Sequence, residues 1–177
     1  MIFHETKLAG VVEIEMDLHR DERGLFARSW CEREFREHGL DPRLVQCSLS
    51  FNERKGTLRR VHYQAAPNQE AKLVRCTKGS IYDVAVDLRP QSATFRQWIG
   101  TELTAGNRRA LYIPADCAHG FLTLEDETEV FYQMSQFYHP ESARGVRWDD
   151  PAFGIVWPGK VEVISDRDLR HPDFEHR

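Results

Sequence analysis

No stretch of this chain approaches the ~18 consecutive apolar residues that a membrane-spanning helix needs, and the opening MIFHETKLAG has no apolar core of the kind a secretory leader carries. No membrane partner is expected, and the reading is a cytoplasmic protein. Positive charge is scarce too: 24 Lys and Arg against 28 Asp and Glu leave a net charge of −4. Nucleic-acid binders usually carry a basic face, so no nucleic-acid partner is expected. Any anionic ligand must be held by a few local cations. Cys31, Cys47, Cys76 and Cys117 are widely spaced, with no CxxC pair. That pattern points to free thiols in a reducing compartment and away from a zinc site. Internal repeats, low-complexity segments and linkers are absent. With 177 residues, 41% hydrophobic and 29% charged, residues 1–177 read as a single globular domain, long enough to bury roughly two-thirds of its unfolded surface.

What recurs is a short β-rich run followed by a turn signal. Runs fall at Val11–Met16, Leu44–Phe51, Thr57–Gln64, Lys72–Thr77, Ser80–Leu88, Arg96–Leu103, Ala110–Ile113, Gly120–Leu124 and Thr128–Tyr138. Lys55-Gly56, Pro67-Asn68, Lys78-Gly79, Arg89-Pro90 and Ala105-Gly106-Asn107 break the chain between them. Many short strands at this spacing mean a barrel or a sandwich. The fold class is therefore all-β: a cupin-type jelly-roll barrel with short peripheral helices fits best, with an immunoglobulin-type sandwich as the alternative. One segment, Cys31–His38, reads clearly as helix, with Cys31 and Phe35 on one stripe and Gly39 as its stop.

Period-two alternation sorts the side chains by face. In Ser80–Leu88, Tyr82, Val84, Val86 and Leu88 point one way, and Ile81, Asp83, Ala85 and Asp87 the other. Val130, Tyr132, Met134 and Tyr138 share a face, as do Lys72, Val74 and Cys76. In Thr57–Gln64, His62 goes with Leu58, Arg60 and Gln64, while Arg59 goes with Val61 and Tyr63. Several strands thus place one titratable group on an otherwise mixed face, as a barrel with a polar cavity would.

Singly, each group has an ordinary structural role open to it. A strand histidine is more often structural than catalytic, a lysine at a strand start is usually a solvated edge charge, Tyr132 and Tyr138 read as core aromatics, and Asp168 as a turn cap. Metal-binding cupins carry two histidines one residue apart, so that adjacent imidazoles share an ion. Here Tyr63-Gln64 follows His62 and Gly120-Phe121 follows His119. Without such a pair no metal site is expected, and the histidines are better read as acid/base groups, since imidazole titrates near neutral pH.

The stretch Lys55-Gly56-Thr57-Leu58-Arg59-Arg60-Val61-His62-Tyr63-Gln64 resembles the signature of the dTDP-4-dehydrorhamnose 3,5-epimerase family. So do Arg23-Gly24-Leu25-Phe26, Ala71-Lys72-Leu73-Val74-Arg75-Cys76, Asp83 to Asp87, Ala118-His119-Gly120-Phe121, Val130-Phe131-Tyr132 and Ser165-Asp166-Arg167-Asp168, in family order from about residue 1 to 174. The resemblance implies a cupin-type barrel, a homodimer that exchanges N-terminal segments, catalysis with no cofactor and no metal, and a nucleotide-diphosphate sugar as substrate. By the same resemblance His62 is the base, Asp168 its partner, Tyr132 the acid and Lys72 the cation for the enolate oxygen, with Asp83 supporting them. Arg59 is implied at the diphosphate, and Arg23 and Phe26 at the nucleotide. Gln46, Ser48, His119, Tyr138, Glu141 and Arg167 complete the substrate contacts, together with Arg28 and Arg60.

The pattern is broken at three places. Arg60 stands where the family carries glycine, Ser48 where asparagine is common, and Arg28 where a glutamate contacts the nucleobase. A guanidinium only donates and a carboxylate only accepts. The nucleobase, thymine or cytosine, is left open by that exchange, as is the choice between epimerising C3, C5 or both. A non-catalytic sugar-binding cupin is the competing class.

Overall fold

The computed structural model describes residues 1–174, with the side chain of Arg60 outside the described residues. Numbered in chain order, its strands form two facing sheets and a separate hairpin. The six-stranded sheet runs β1 (Ile2–Glu5), β2 (Val12–Glu15), β10 (Ala110–Ile113), β7 (Lys72–Lys78), β12 (Thr128–Met134), β5 (Gln46–Asn52). The five-stranded sheet runs β13 (Ala143–Val146), β6 (Leu58–Gln64), β11 (Cys117–Thr123), β8 (Ser80–Asp87), β9 (Trp98–Thr104). All these pairings are antiparallel. Two antiparallel sheets closed around one interior make a jelly-roll barrel of cupin type.

The interior is the product of alternation. Val74 and Cys76 from β7 and Val130 from β12 meet Ile81 and Ala85 from β8, Leu103 from β9 and Phe121 from β11. The opposite face of β8 packs outside the barrel, where Val84 and Val86 join Val61, Ala118, Val146 and Phe153. Both faces of β8 are thus packed, the inner one holding the buried Asp83 and Asp87 with Ile81 and Ala85, in the split that Ser80–Leu88 anticipates. Outside the six-stranded sheet, α1 (Glu32–Glu37) seats Phe35 among Ile14, Leu73 and Tyr112. It ends where Gly39 enters a positive φ of +70° and donates its N–H to Arg36 O. At the β7–β8 turn, Gly79 has φ +76°, and a Cβ there would come within 2.5 Å of Thr128 Oγ1. Burial pushes the Cys76 and Cys117 thiols up to about 11 and about 12, and all four cysteines are unpaired.

Some four-residue elements escape the sequence reading, although β2 and β10, of the same length, do not. Those missed are β1, β13, the hairpin of β3 (Leu18–Asp21) with β4 (Gly24–Ala27), and α2 (Asp166–Leu169). In β6 the alternation itself fails. Its pairing with β11 jumps from His62↔His119 to Arg59↔Phe121, so β6 carries one more residue than its partner. Such a bulge inverts the side-chain sense of the residues on its far side.

Candidate active site

A cavity of about 400 Å³ opens at one end of the barrel, within the range of small-ligand sites. His62, Tyr63, Gln64 and Arg59 reach it from β6, Gln46, Ser48 and Ser50 from β5, Tyr132 and Met134 from β12, and Lys72 from β7. Tyr138, Glu70, Ala143, Arg167 and Asp168 complete the lining. His62 and Tyr132 therefore enter one cavity from opposite sheets.

Arg59 is the correction that the bulge imposes. Simple alternation sets it on the face away from His62, yet both line the cavity, because the extra residue of β6 turns Arg59 back. Arg59 Nε donates to Asn52 Oδ1 at 2.8 Å and Nη2 to Phe51 O at 3.3 Å, which orients the guanidinium at the rim. The side chain of Arg60, read from alternation as a neighbour of His62, lies outside the described residues.

Lys72 is only 4% exposed, and its Nζ donates to His62 O at 3.1 Å. It forms an ion pair with the equally buried Glu70, Nζ to Oε1, at 3.2 Å. Tyr132 rests on His119 and Phe121, with ring centroids 6.0 and 6.4 Å apart. Burial first, and the nearby Asp83 charge second, push its phenol well above the ordinary tyrosine range, with Arg59 pulling the other way. Such a hydroxyl keeps its proton at neutral pH and can give it up only to a strongly basic centre.

His119 and Asp83 are absent from the lining. Both are fully buried, with His119 Nε2 2.6 Å from Asp83 Oδ1, and His119 lies 6.3 Å from the ring of His62. The pair forms a layer beneath the cavity, on which His62 and Tyr132 both rest. Asp168 and Arg167 come from α2, whose Ser165 hydroxyl accepts the Asp168 N–H at 3.2 Å. The segment after α2 is tied down where Asp150 Oδ2 accepts the Phe174 N–H at 2.6 Å and Phe174 meets Phe153 at 5.1 Å.

Gln46 Oε1 accepts the Tyr138 N–H at 3.0 Å, joining two of the expected substrate contacts. Glu141 stands off the cavity, 68% exposed and paired with His139. The hairpin residues are also apart from it. Phe26 is 75% exposed, Arg23 bonds Asp21, and Arg28 bonds Glu34. Ser50, Tyr63, Gln64 and Glu70 are the polar lining residues that sequence reasoning missed. The position of Glu70 two residues before Lys72 is the signal, since i and i+2 share a side of an extended chain.

Comparison with known proteins points to one family. The family model described as dTDP-4-dehydrorhamnose 3,5-epimerase matches residues 5–176. A dTDP-4-dehydrorhamnose 3,5-epimerase of Methanothermobacter thermautotrophicus is 44% identical over 97% of this chain and 90% of its own length. The crystal structure of the enzyme of that name from Elizabethkingia anophelis superposes with a TM-score of 0.95 at 36% identity, covering 98% of this chain and 96% of that one. A dTDP-6-deoxy-D-glucose-3,5-epimerase from Legionella pneumophila, solved in complex with dTDP-4-keto-L-rhamnose, superposes at 0.90 with 34% identity over 99% of both chains.

Proposed function

The chain belongs to the dTDP-4-dehydrorhamnose 3,5-epimerase family, and from that membership together with the cavity geometry we propose that it epimerises C3 and C5 of a dTDP-linked 4-keto-6-deoxyhexose, in the making of L-rhamnose-type sugars. The observation that carries the reading is the entry of His62 and Tyr132 into one cavity from opposing sheets. Inverting a carbon requires removing a proton from one face of the ring and returning one to the other. A ketone at C4 acidifies the protons on C3 and C5, because the electron pair left behind delocalises onto the C4 oxygen. His62 accepts the proton, and the C4 oxygen takes the charge as an enolate beside the Lys72 ammonium. The enolate then collapses to the ketone as carbon takes the Tyr132 proton on the other face, and exchange with water resets both groups. Asp168, lining the same cavity as His62, supports the imidazolium. Both proton transfers use the protein's own side chains, with neither metal nor cofactor.

Arg59 at the rim suits a diphosphate, since guanidinium forks match phosphate oxygens. The exposed Phe26 and Arg23 are suited to the nucleotide of a neighbouring copy, which makes a homodimer part of this reading. Residues 1–177 then act as one epimerase domain, and four unpaired cysteines suit the reducing cytoplasm. Among the described residues, no helix is long and apolar enough to cross a membrane.

The test is NMR in D₂O with dTDP-4-keto-6-deoxyglucose, repeated with the CDP sugar and after chelator treatment. Deuterium at both C3 and C5 with the dTDP sugar, unaffected by chelator, is expected. Label at one carbon makes the protein a mono-epimerase. Binding without exchange overturns the enzymatic reading.

A further inference from the structure

Beneath the proposed chemistry lies a carboxylate to which no step assigns a part. Glu70 is 9% exposed and lines the cavity. Its Oε1 sits 3.2 Å from Lys72 Nζ, and its Oε2 accepts the Gln64 Nε2 hydrogen at 3.2 Å. Gln64 is buried in turn: the same amide donates to Asn68 O and Phe137 O, and its Oε1 accepts the His139 N–H at 2.6 Å. One hydrogen-bonded chain therefore runs from the Lys72 ammonium through Glu70 and Gln64 to the residues on either side of Tyr138.

Two physical arguments give this chain a purpose. A buried ammonium without a counter-charge is expensive, and a pair this buried is costly to break. A lysine ammonium is also a point charge on a flexible four-carbon stem, whereas an enolate is best stabilised by a charge already in place when it forms. We propose that Glu70 is a positioning residue. It holds Lys72 at the spot where the enolate oxygen develops, and through Gln64 it registers that cation against the Tyr138 segment. This role rests on the epimerase reading above.

Glu70→Gln keeps the size and hydrogen bonding of the side chain and removes only the charge. Its kcat should fall about tenfold with KM little changed, in line with the coupling expected of a contacting pair, and its thermal midpoint should drop because the buried Lys72 ammonium loses its counter-charge. Deuterium incorporation at C3 and C5 should slow by the same factor. Lys72→Met alone should cost ~10²–10³-fold, as removal of an oxyanion-stabilising donor does. In that background Glu70→Gln should cost less than about twofold, because a residue that acts through Lys72 has nothing left to position. Independently of turnover, acetic anhydride should modify Lys72 faster in Glu70→Gln than in the parent, followed by peptide mass spectrometry. An unchanged kcat, or a full tenfold loss repeated on top of Lys72→Met, overturns the role while leaving the epimerase intact. A parent that exchanges neither proton overturns the function and this role with it, and the labelling rate then shows whether the pairing itself was sound.

Discussion

The barrel wall that carries Lys72 and Tyr132 and the peripheral segments that carry Phe26 and Asp168 hold their side chains by different means. Lys72, 4% exposed, lies in a central strand paired on both sides, with an ion pair and a backbone carbonyl fixing its head. Phe26, 75% exposed, sits on a hairpin that pairs only with itself. Asp168 stands between the two, on a four-residue helix capped by Ser165 and tethered through Phe174 to the buried Asp150. Groups that must meet a reacting carbon within a fraction of an ångström belong where packing leaves one rotamer. A nucleotide, bound by apolar contact and a few polar ones, tolerates the looser frame.

The largest effect separating the two regions should come from His62→Ala, with kcat/KM falling by at least ~10²-fold and deuterium uptake lost while circular dichroism is unchanged. Next is the frame of the wall. In Asp87, fully buried at the end of β8, burial would raise the acid, but hydrogen bonds from Arg89, Ser92 and Thr94 outweigh it and hold the carboxyl at about 2 against an ordinary 3.8. A folded-state value below the unfolded one stabilises above the unfolded value and is lost as pH falls through the folded one. Asp87→Asn should therefore cost about 2 kcal/mol at neutral pH. The gap to the parent should close between about pH 4 and 2, as measured by urea unfolding across that range.

Smaller changes are expected at the periphery. Phe26→Ala should raise KM for the dTDP sugar about tenfold with kcat unchanged and stability within about 0.5 kcal/mol. A fall in kcat instead would place Phe26 with the wall. The smallest effect is a shift in nucleotide choice. Arg28→Glu, exchanging a donor for an acceptor, should change the ratio of kcat/KM for dTDP and CDP sugars by a few-fold, and an unaltered ratio would remove Arg28 from base reading.

Much of the wall was legible beforehand because long strands repeat their pattern. Eight residues of β8 contain four full alternations, so the split of Ile81 and Ala85 from Val84 and Val86 could be read from residue types alone. The hairpin, β13 and α2 have four residues each, at most one of them buried, so no core face marks them as it does the equally short β2 and β10. Arg59 was misplaced because a bulge belongs to the pairing of two strands and leaves no mark in the alternation of one. His119 has the residue type of a ligand contact, but it is fully buried against Asp83 and absent from the cavity lining, and depth depends on what is stacked above a residue.

The residue types determined what chemistry is available: an imidazole, a phenol, an ammonium and several guanidiniums, each on a strand whose local pattern fixes its neighbours two places away. Only barrel closure decided that the imidazole of β6 and the phenol of β12 enter a single cavity from opposite sheets, and that the Glu70–Lys72 pair is buried in its wall. Local pattern is set by backbone geometry over a few residues. The meeting of distant strands is set by how two sheets bury their apolar faces together, a property of the whole chain.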